Sequence, residues 1–228
     1  MGTGPVRAAA AVDELRIRLE RSYQDGDVAG IESARADLLR LAAEPGATDP
    51  ASLRYFAAYG LFRQAMATAG DAPAARRFLE ACITELGAVV RREPDHAEAR
   101  ALLGSCYGLS TEYNALMTMT RGPEARRQLN EAVRLSPDNP WVVMQDGLAD
   151  WATPRLFGGS REGAVRKLER ATELFGKAIK AGSRLAAFGA AEAWQQLALR
   201  YRSLGRDADA RVALERAAAL TSVQLASR

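Results

Sequence analysis

The sequence predicts an all-α protein, a right-handed α-solenoid in which about ten helices form antiparallel hairpins that pack side by side. Three observations support this fold class. A short pattern of small and apolar residues recurs at helical spacing, and proline and glycine separate the segments that carry it. No segment alternates between polar and apolar residues as a half-buried strand does. We therefore expect one repeat domain that covers residues 1–228.

The recurring pattern is an alanine, a leucine four residues later and a small residue three residues after that. Steps of four and three place all three side chains on one stripe of a helix, where small residues let a neighbouring helix approach closely. Repetition of such a unit predicts a stack of helical hairpins, an architecture used for binding rather than for catalysis. The pattern occurs at Ala75/Leu79/Cys82, Ala125/Leu129/Ala132, Ala164/Leu168/Ala171 and Ala210/Leu214/Ala217, and more loosely at Ala34/Leu38/Leu41.

Turn and cap residues divide the chain into five predicted hairpins. Asp49-Pro50 is typical of a helix start, because Asp caps the helix and Pro suits its first turn. Asp95 and Ser160 are expected to cap later helices, and Gly122-Pro123 is expected to break the chain between the two helices of the third hairpin. The hairpins cover residues 6–43, 51–92, 96–135, 139–181 and 187–226, approximately; the predicted helices are 8–24, 28–43, 50–69, 74–92, 97–120, 124–135, 141–152, 160–181, 187–204 and 207–225.

Composition excludes several classes of partner and leaves the compartment open. The chain has 31 basic and 28 acidic residues, a net charge of +3 that is too balanced for a nucleic-acid footprint. No stretch approaches the roughly 18 apolar residues of a membrane span. The only early apolar run, residues 8–12, is too short for the core of a secretory signal, which needs about 7–15 residues. The chain is therefore either cytoplasmic or an exported protein whose leader is absent from this sequence.

Two cysteines, Cys82 and Cys106, fall on the inward faces of successive hairpins. They are too few for a disulfide framework. We interpret them as two small buried residues, with a single disulfide as the alternative if the protein is exported.

The last hairpin resembles the tetratricopeptide repeat, a unit of about 34 residues. Ala198 replaces the usual glycine and Leu214 the usual aromatic residue, and the pattern alanines lie 39–50 residues apart, so the resemblance is to a divergent member that matches residues 51–222. The segment 154–159 is similar to a loop of certain bacterial tetratricopeptide proteins, many of which are exported, which favours the bacterial periplasm over the cytoplasm. The matching residues are Trp194, Leu197, Ala198, Tyr201, Gly205, Ala210, Leu214 and Ala217, then Gly147, Ala164, Leu168 and Ala171, and Leu103, Gly104, Tyr107, Ala125, Leu129, Ala132 and Pro137.

No residue set points to catalysis, a metal or a cofactor. His96 is the only histidine and has no second ligand at helical spacing, so it is interpreted as part of a solvated helix start. Nucleophilic catalysis would lack its usual base. Gly158-Gly159 lacks the spacing and the lysine of a phosphate-binding loop. We predict a protein that is not an enzyme.

The resemblance implies that the first helix of each hairpin lines a concave groove. Trp141 and Trp151 fall on roughly the same side of one helix, beside Met144, and would form an aromatic anchor if they are not buried between hairpins. Phe157 is interpreted as a plug packed over the hairpin, with a ligand contact as the alternative. The candidate binding residues are Glu98, Trp141, Met144, Leu148, Trp151, Phe157, Glu192, Gln195 and Arg202.

Two functions follow from this groove. The first is a non-catalytic scaffold or adaptor that binds a protein or peptide in an open groove. The alternative is an exported subunit that binds a small molecule for a transport system, which a closed pocket under residues 153–159 would favour. The last helix keeps Leu214, Leu220, Val223 and Leu225 without a capping helix after it, which predicts a homodimer through an array end.

Overall fold

The computed structural model describes residues 4–45, 47, 49–113 and 115–226. Over these residues the chain forms ten α-helices and two short 3-10 turns, and it contains no strand. The chain divides into two compact units, Met1–Gln128 and Leu129–Arg228. In the first unit the first five helices each pack against the next one along the chain, and in the second unit the last four do the same. The all-α prediction is confirmed, and the consecutive packing is that of a helical solenoid. That the units together form one repeat domain stays a prediction.

The first unit contains five helices and the beginning of a sixth. Asp27, Asp49 and Asp71 cap α2, α3 and α4, and each side chain accepts a hydrogen bond from the backbone N–H three residues later. These caps satisfy backbone donors that have no partner inside the helix. The helices are α1 (Gly4–Gln24), α2 (Val28–Ala43), α3 (Pro50–Ala67), α4 (Ala72–Arg92), α5 (Ala97–Glu112) and α6 (Thr118–Leu135), with a 3-10 turn at Ala115–Met117.

The second unit contains the end of α6 and four further helices. Its core is centred on Phe175, Leu168 and Leu197, none of which has measurable solvent exposure. Asn139, Ser160 and Ser183 cap the first three of these helices. The helices are α7 (Pro140–Ala152), α8 (Arg161–Lys180), α9 (Arg184–Ser203) and α10 (Asp207–Ala226), with a 3-10 turn at Arg155–Phe157.

The recurring stripe of small and apolar residues lies in the two cores. The alanine, leucine and small residue are all essentially inaccessible to solvent in the copies Ala75/Leu79/Cys82 and Ala164/Leu168/Ala171. Leu214 in the last copy is the exception, since it is 38% exposed on α10. The stripe therefore packs consecutive helices together, as its spacing predicts.

Gly189 has no side chain, and this allows α9 to approach α7 and α8 closely. A methyl group on Gly189 would collide with the ring of Phe175 on α8 and would lie 2.8 Å from the ring of Trp141 on α7. Only glycine fits at this crossing without displacing an aromatic ring.

The break between α5 and α6 differs from the prediction. We expected the helix to continue to residue 120 and to break at Gly122-Pro123, but α5 ends at Glu112 and Pro123 lies inside α6. Pro123 is the sixth residue of α6, so the hydrogen bond that its missing N–H removes is one of the first in the helix. Leu116, in the 3-10 turn, and Met119, at the start of α6, are 89% and 86% exposed.

Cys82 on α4 and Cys106 on α5 form a disulfide, with their Cα atoms 6.6 Å apart. The interpretation as two separate buried residues is therefore wrong, and the alternative is the one observed. The two stripes that carry the cysteines face each other, because α4 and α5 are consecutive packed helices. A bridge that closes a loop of this length stabilises the folded chain by about 3 kcal/mol, chiefly by restricting the unfolded state.

Candidate functional site

A tight loop joins α7 to α8 and reverses the chain within a few residues. The backbone N–H groups of Phe157 and Gly159 both donate to the carbonyl oxygen of Pro154, at 2.9 and 3.2 Å. Gly158 has a φ of 89°, which favours glycine, and a side chain on Gly159 would collide with the carbonyl of Thr153. The loop is therefore held by its own hydrogen bonds and its glycines.

The tip of this loop presents two large apolar side chains to solvent. Leu156 is 88% exposed and Phe157 is 73% exposed. Phe157 is thus not the plug that we expected over the hairpin. Two adjacent exposed apolar side chains on a short, internally bonded loop form a small surface that is ready to bury against another molecule.

Trp151 lies at the base of the loop, in contact with two arginines. The guanidinium carbon of Arg161, at the start of α8, and that of Arg200, in the last turn of α9, each lie 5.2 Å from the centre of the Trp151 ring. Contacts of this kind are worth about 0.5–1 kcal/mol at exposed sites. They hold two positive charges over one half-buried ring, next to the apolar tip.

Neither arginine has an acidic partner among the residues that the structure describes. Burial lowers the pKa of Arg200, and its Nε is buried with no hydrogen-bond partner. A half-buried cation that is neither paired nor fully hydrogen-bonded is costly, so Arg200 is poised to accept an anion.

Two carboxylates of α7 near the loop are already paired. Asp146 and Asp150 on α7 lie 2.7 and 2.6 Å from Nζ of Lys167 on α8. Although desolvation by burial opposes it, hydrogen bonds to these two carboxylates raise the pKa of Lys167. Lys167 therefore stays charged and offsets part of the negative charge of the two acids, which would otherwise repel an anionic ligand more strongly.

The other predicted groove residues of α7 do not form the expected surface anchor. Met144 is fully buried in the core of the second unit. Trp141 is half-buried and packs edge-on against Phe175, with ring centres 4.9 Å apart. Leu148 is also partly buried against this core. Trp151 also packs partly against this core, and of the predicted anchor it alone adjoins the loop along the chain.

The remaining candidate residues are dispersed. Gln195 and Arg202 are exposed on α9, and Glu192 is half-exposed on the same helix. Glu98 lies in the first turn of α5, in the first unit. These four residues stay predictions, since nothing in the structure links them to the loop.

His96 has a structural role in the first unit. Its Nδ1 accepts a hydrogen bond from the N–H of Ala99, so His96, and not the expected Asp95, caps α5. Its ring also packs against Tyr55, with ring centres 4.8 Å apart. Within the described ranges, no group of three or more His, Cys, Asp or Glu side chains is placed to hold a metal ion.

A depression lies between α1 and α2 and has a volume of about 720 Å³. Three arginines line it: Arg18 and Arg40 both bind the carboxylate of Asp37, whereas the Nε of Arg21 is buried without a hydrogen-bond partner. Hydrogen bonds from Arg18 and then from Arg40 lower the pKa of Asp37, so this carboxylate stays charged. The two cations are therefore neutralised from within the depression, which makes it a weaker candidate than the loop.

Sequence reasoning missed Arg161, Arg200 and Leu156. A signal for two of them was present, since Leu156 and Arg161 flank Phe157 in a loop that the sequence already singled out. Arg200 carried no such signal, because it reaches Trp151 only through the packing of α9 near α7.

The fold and this site define a helical repeat-like protein with an exposed aromatic and cationic surface. The HusA haemophore from Porphyromonas gingivalis is a solved structure similar to it, with 22% sequence identity and a TM-score of 0.61 over 89% of this chain and 96% of that chain. At this identity the likeness shows the fold alone. No protein-family model and no curated protein matches the chain. Across the described helices, none is both long enough and apolar enough to cross a lipid bilayer.

Proposed function

We propose that this chain is a non-catalytic binding protein that carries an apolar, planar small molecule on the loop between α7 and α8. The observation that carries the proposal is the exposed pair Leu156 and Phe157, held on a tight loop beside Trp151. Aromatic and aliphatic side chains of this kind provide most of the contact area in small-molecule sites. The similar solved structure is a haemophore, so haem, as cargo rather than as a resident cofactor, is the first ligand to test.

We further propose that the protein works outside the cytoplasm, in the bacterial periplasm or beyond it, and that its hairpins are divergent tetratricopeptide repeats. The disulfide between Cys82 and Cys106 supports the first part, because structural disulfides persist in oxidising compartments. The buried Ala–Leu–small stripe supports the second.

The test is a titration of the full chain with haemin, followed by visible absorbance. We expect saturable binding that the double variant Leu156→Ser/Phe157→Ser weakens by about tenfold or more, since each lost apolar contact is worth on the order of 1 kcal/mol. The matched control is Leu204→Ser/Val212→Ser, which changes two exposed apolar residues elsewhere in the second unit. Equal binding by the two double variants would contradict the placement of the site, and no saturable binding by the wild type would contradict the function.

A protein or peptide partner, as expected for a scaffold, is the second candidate. The exposed pair Leu116 and Met119, between α5 and α6, favours it, because methionine adapts to varied apolar partners. Affinity capture from the native organism with the wild type and with Leu116→Ser/Met119→Ser tests this candidate. A scaffold should lose a defined partner in the variant; unchanged recovery would remove this surface from consideration.

A further inference from the structure

We infer that the ligand of the α7–α8 loop is an organic acid, with an apolar body that contacts Leu156 and Phe157 and a carboxylate that binds Arg161 and Arg200 over the ring of Trp151. This inference rests on the proposed function and deepens it, because it names the chemical class of the ligand.

The placement of the two arginines carries the first step. Both guanidinium carbons lie 5.2 Å from the centre of the same indole ring, so they are at most twice that distance apart. They come from different helices, α8 and α9, and converge on a residue at the end of α7. Stacking on an aromatic face leaves the N–H edges of a guanidinium available, and these edges match the two oxygens of a carboxylate.

The second step is the absence of an internal counter-charge over the described part of the chain. Two other half-buried cations of the chain are neutralised: Arg121 binds Glu80, with N···O distances of 2.7 and 2.8 Å, and Lys167 binds two aspartates. Arg161 and Arg200 make no such pair within the described residues. A bound carboxylate would restore to Arg200 the interactions that burial removes, and charge-assisted hydrogen bonds of this kind are the stronger ones in proteins.

The surroundings of the pair are compatible with an anion. Asp150 lies close to the first turn of α8, and Lys167, whose Nζ lies 2.6 Å from its carboxylate, offsets part of its charge. Glu169, two residues beyond Lys167 along α8, accepts a hydrogen bond from the Tyr201 hydroxyl at 2.6 Å. The start of α8 also contributes the partial positive charge of a helix N-terminus, next to Arg161.

The apolar tip and one of the two arginines belong to one short segment. Trp151 and Arg161 stand on the two sides of the loop, and Leu156 and Phe157 form its tip. A ligand that contacts both parts must therefore combine an apolar body with an acidic edge. Porphyrins with free carboxylates have this form, and a methyl ester of the same ring removes the charge while it keeps the apolar body.

The experiment compares protoporphyrin IX with its dimethyl ester as ligands of the full chain, by quenching of tryptophan fluorescence. We expect the wild type to bind the free acid about tenfold or more tightly than the ester. In Arg161→Gln/Arg200→Gln the preference should disappear, through weaker binding of the acid and unchanged binding of the ester. Arg166→Gln, at an exposed arginine of α8, is the matched control and should keep the preference.

The variant Arg200→Lys controls for misfolding of the double variant. Lysine keeps the positive charge and lacks only the planar guanidinium group that can bind both oxygens of a carboxylate. Its preference for the acid should fall between those of the wild type and the double variant, with an unchanged melting temperature. Equal affinity of the wild type for acid and ester would overturn the inference and leave the proposed function standing. Saturable binding of neither porphyrin would overturn both.

Discussion

Arg63 on α3 shows how one side chain can organise the first unit. It is fully buried, its Nη2 lies 3.1 Å from Oε2 of Glu20 on α1, and its guanidinium stacks over Tyr23 and Tyr59 at 4.3 and 4.9 Å from the ring centres. Glu20 also accepts a hydrogen bond from the Tyr59 hydroxyl. A buried ion pair of this kind adds little net stability over an apolar pair, but loss of one partner leaves an uncompensated charge.

We therefore expect Glu20→Gln to lower the free energy of unfolding by about 3 kcal/mol, because it leaves the guanidinium of Arg63 buried without its counter-charge. Urea denaturation followed by circular dichroism measures this. Asp13→Asn, which breaks an exposed pair between Asp13 and Arg16 on the same helix, should leave the stability nearly unchanged. Similar effects of the two substitutions would show that the buried pair is not required.

The burial and the partners of individual side chains were the features that the sequence predicted least well. Spacing placed Cys82 and Cys106 on facing stripes, but it could not decide between two thiols and a disulfide, which depends on the distance between α4 and α5. It placed Trp141, Met144 and Trp151 on one side of α7 and could not say that α8 and α9 bury the first two. Burial of a side chain depends on what lies opposite, and no single helix contains that information.

Helices and their connections were predicted well where polar caps and glycines define them. The loop at 153–159 and the caps Asp49 and Ser160 lie where the sequence places them. The start of α6 was missed because Gly122-Pro123 resembles a helix break, whereas a proline in the early turns of a helix interrupts few hydrogen bonds. Local signals therefore locate most helix ends, and fail where one residue type is compatible with two structures.

At the scale of one helix crossing, Gly189→Ala should destabilise the second unit by about 1–3 kcal/mol, since the added methyl group would collide with the ring of Phe175. Gly176→Ala is the matched control, because a methyl group there meets no atom within 4 Å and alanine is the better helix former. The control should therefore be neutral or stabilising. Denaturant unfolding measures both, and destabilisation by both substitutions alike would contradict the close approach of α9.

Consecutive helices stack within each of the two units, as the sequence predicts. On α10, Val212 and Leu214 are 52% and 38% exposed. An apolar face at the edge of a helical repeat array tends to bury against another surface. The predicted homodimer would meet this need.

Light scattering of the purified chain at micromolar concentration should give the mass of a dimer, and Leu214→Glu should shift it to the monomer by placing a charge on the apolar face. Leu116→Glu, an equal change at an exposed leucine outside α10, should not. A wild-type chain with the mass of a monomer would remove the dimer.

The bridge between Cys82 and Cys106 has a mechanical consequence. A stretching force applied to the two ends of the chain passes through the bond between the sulfurs and bypasses the 24-residue segment that the bond closes. Full extension of the oxidised protein is then shorter by about 80 Å than that of the reduced protein, at about 3.3–3.6 Å per residue. The turn between α4 and α5 thus carries no tension until a reductant opens the ring.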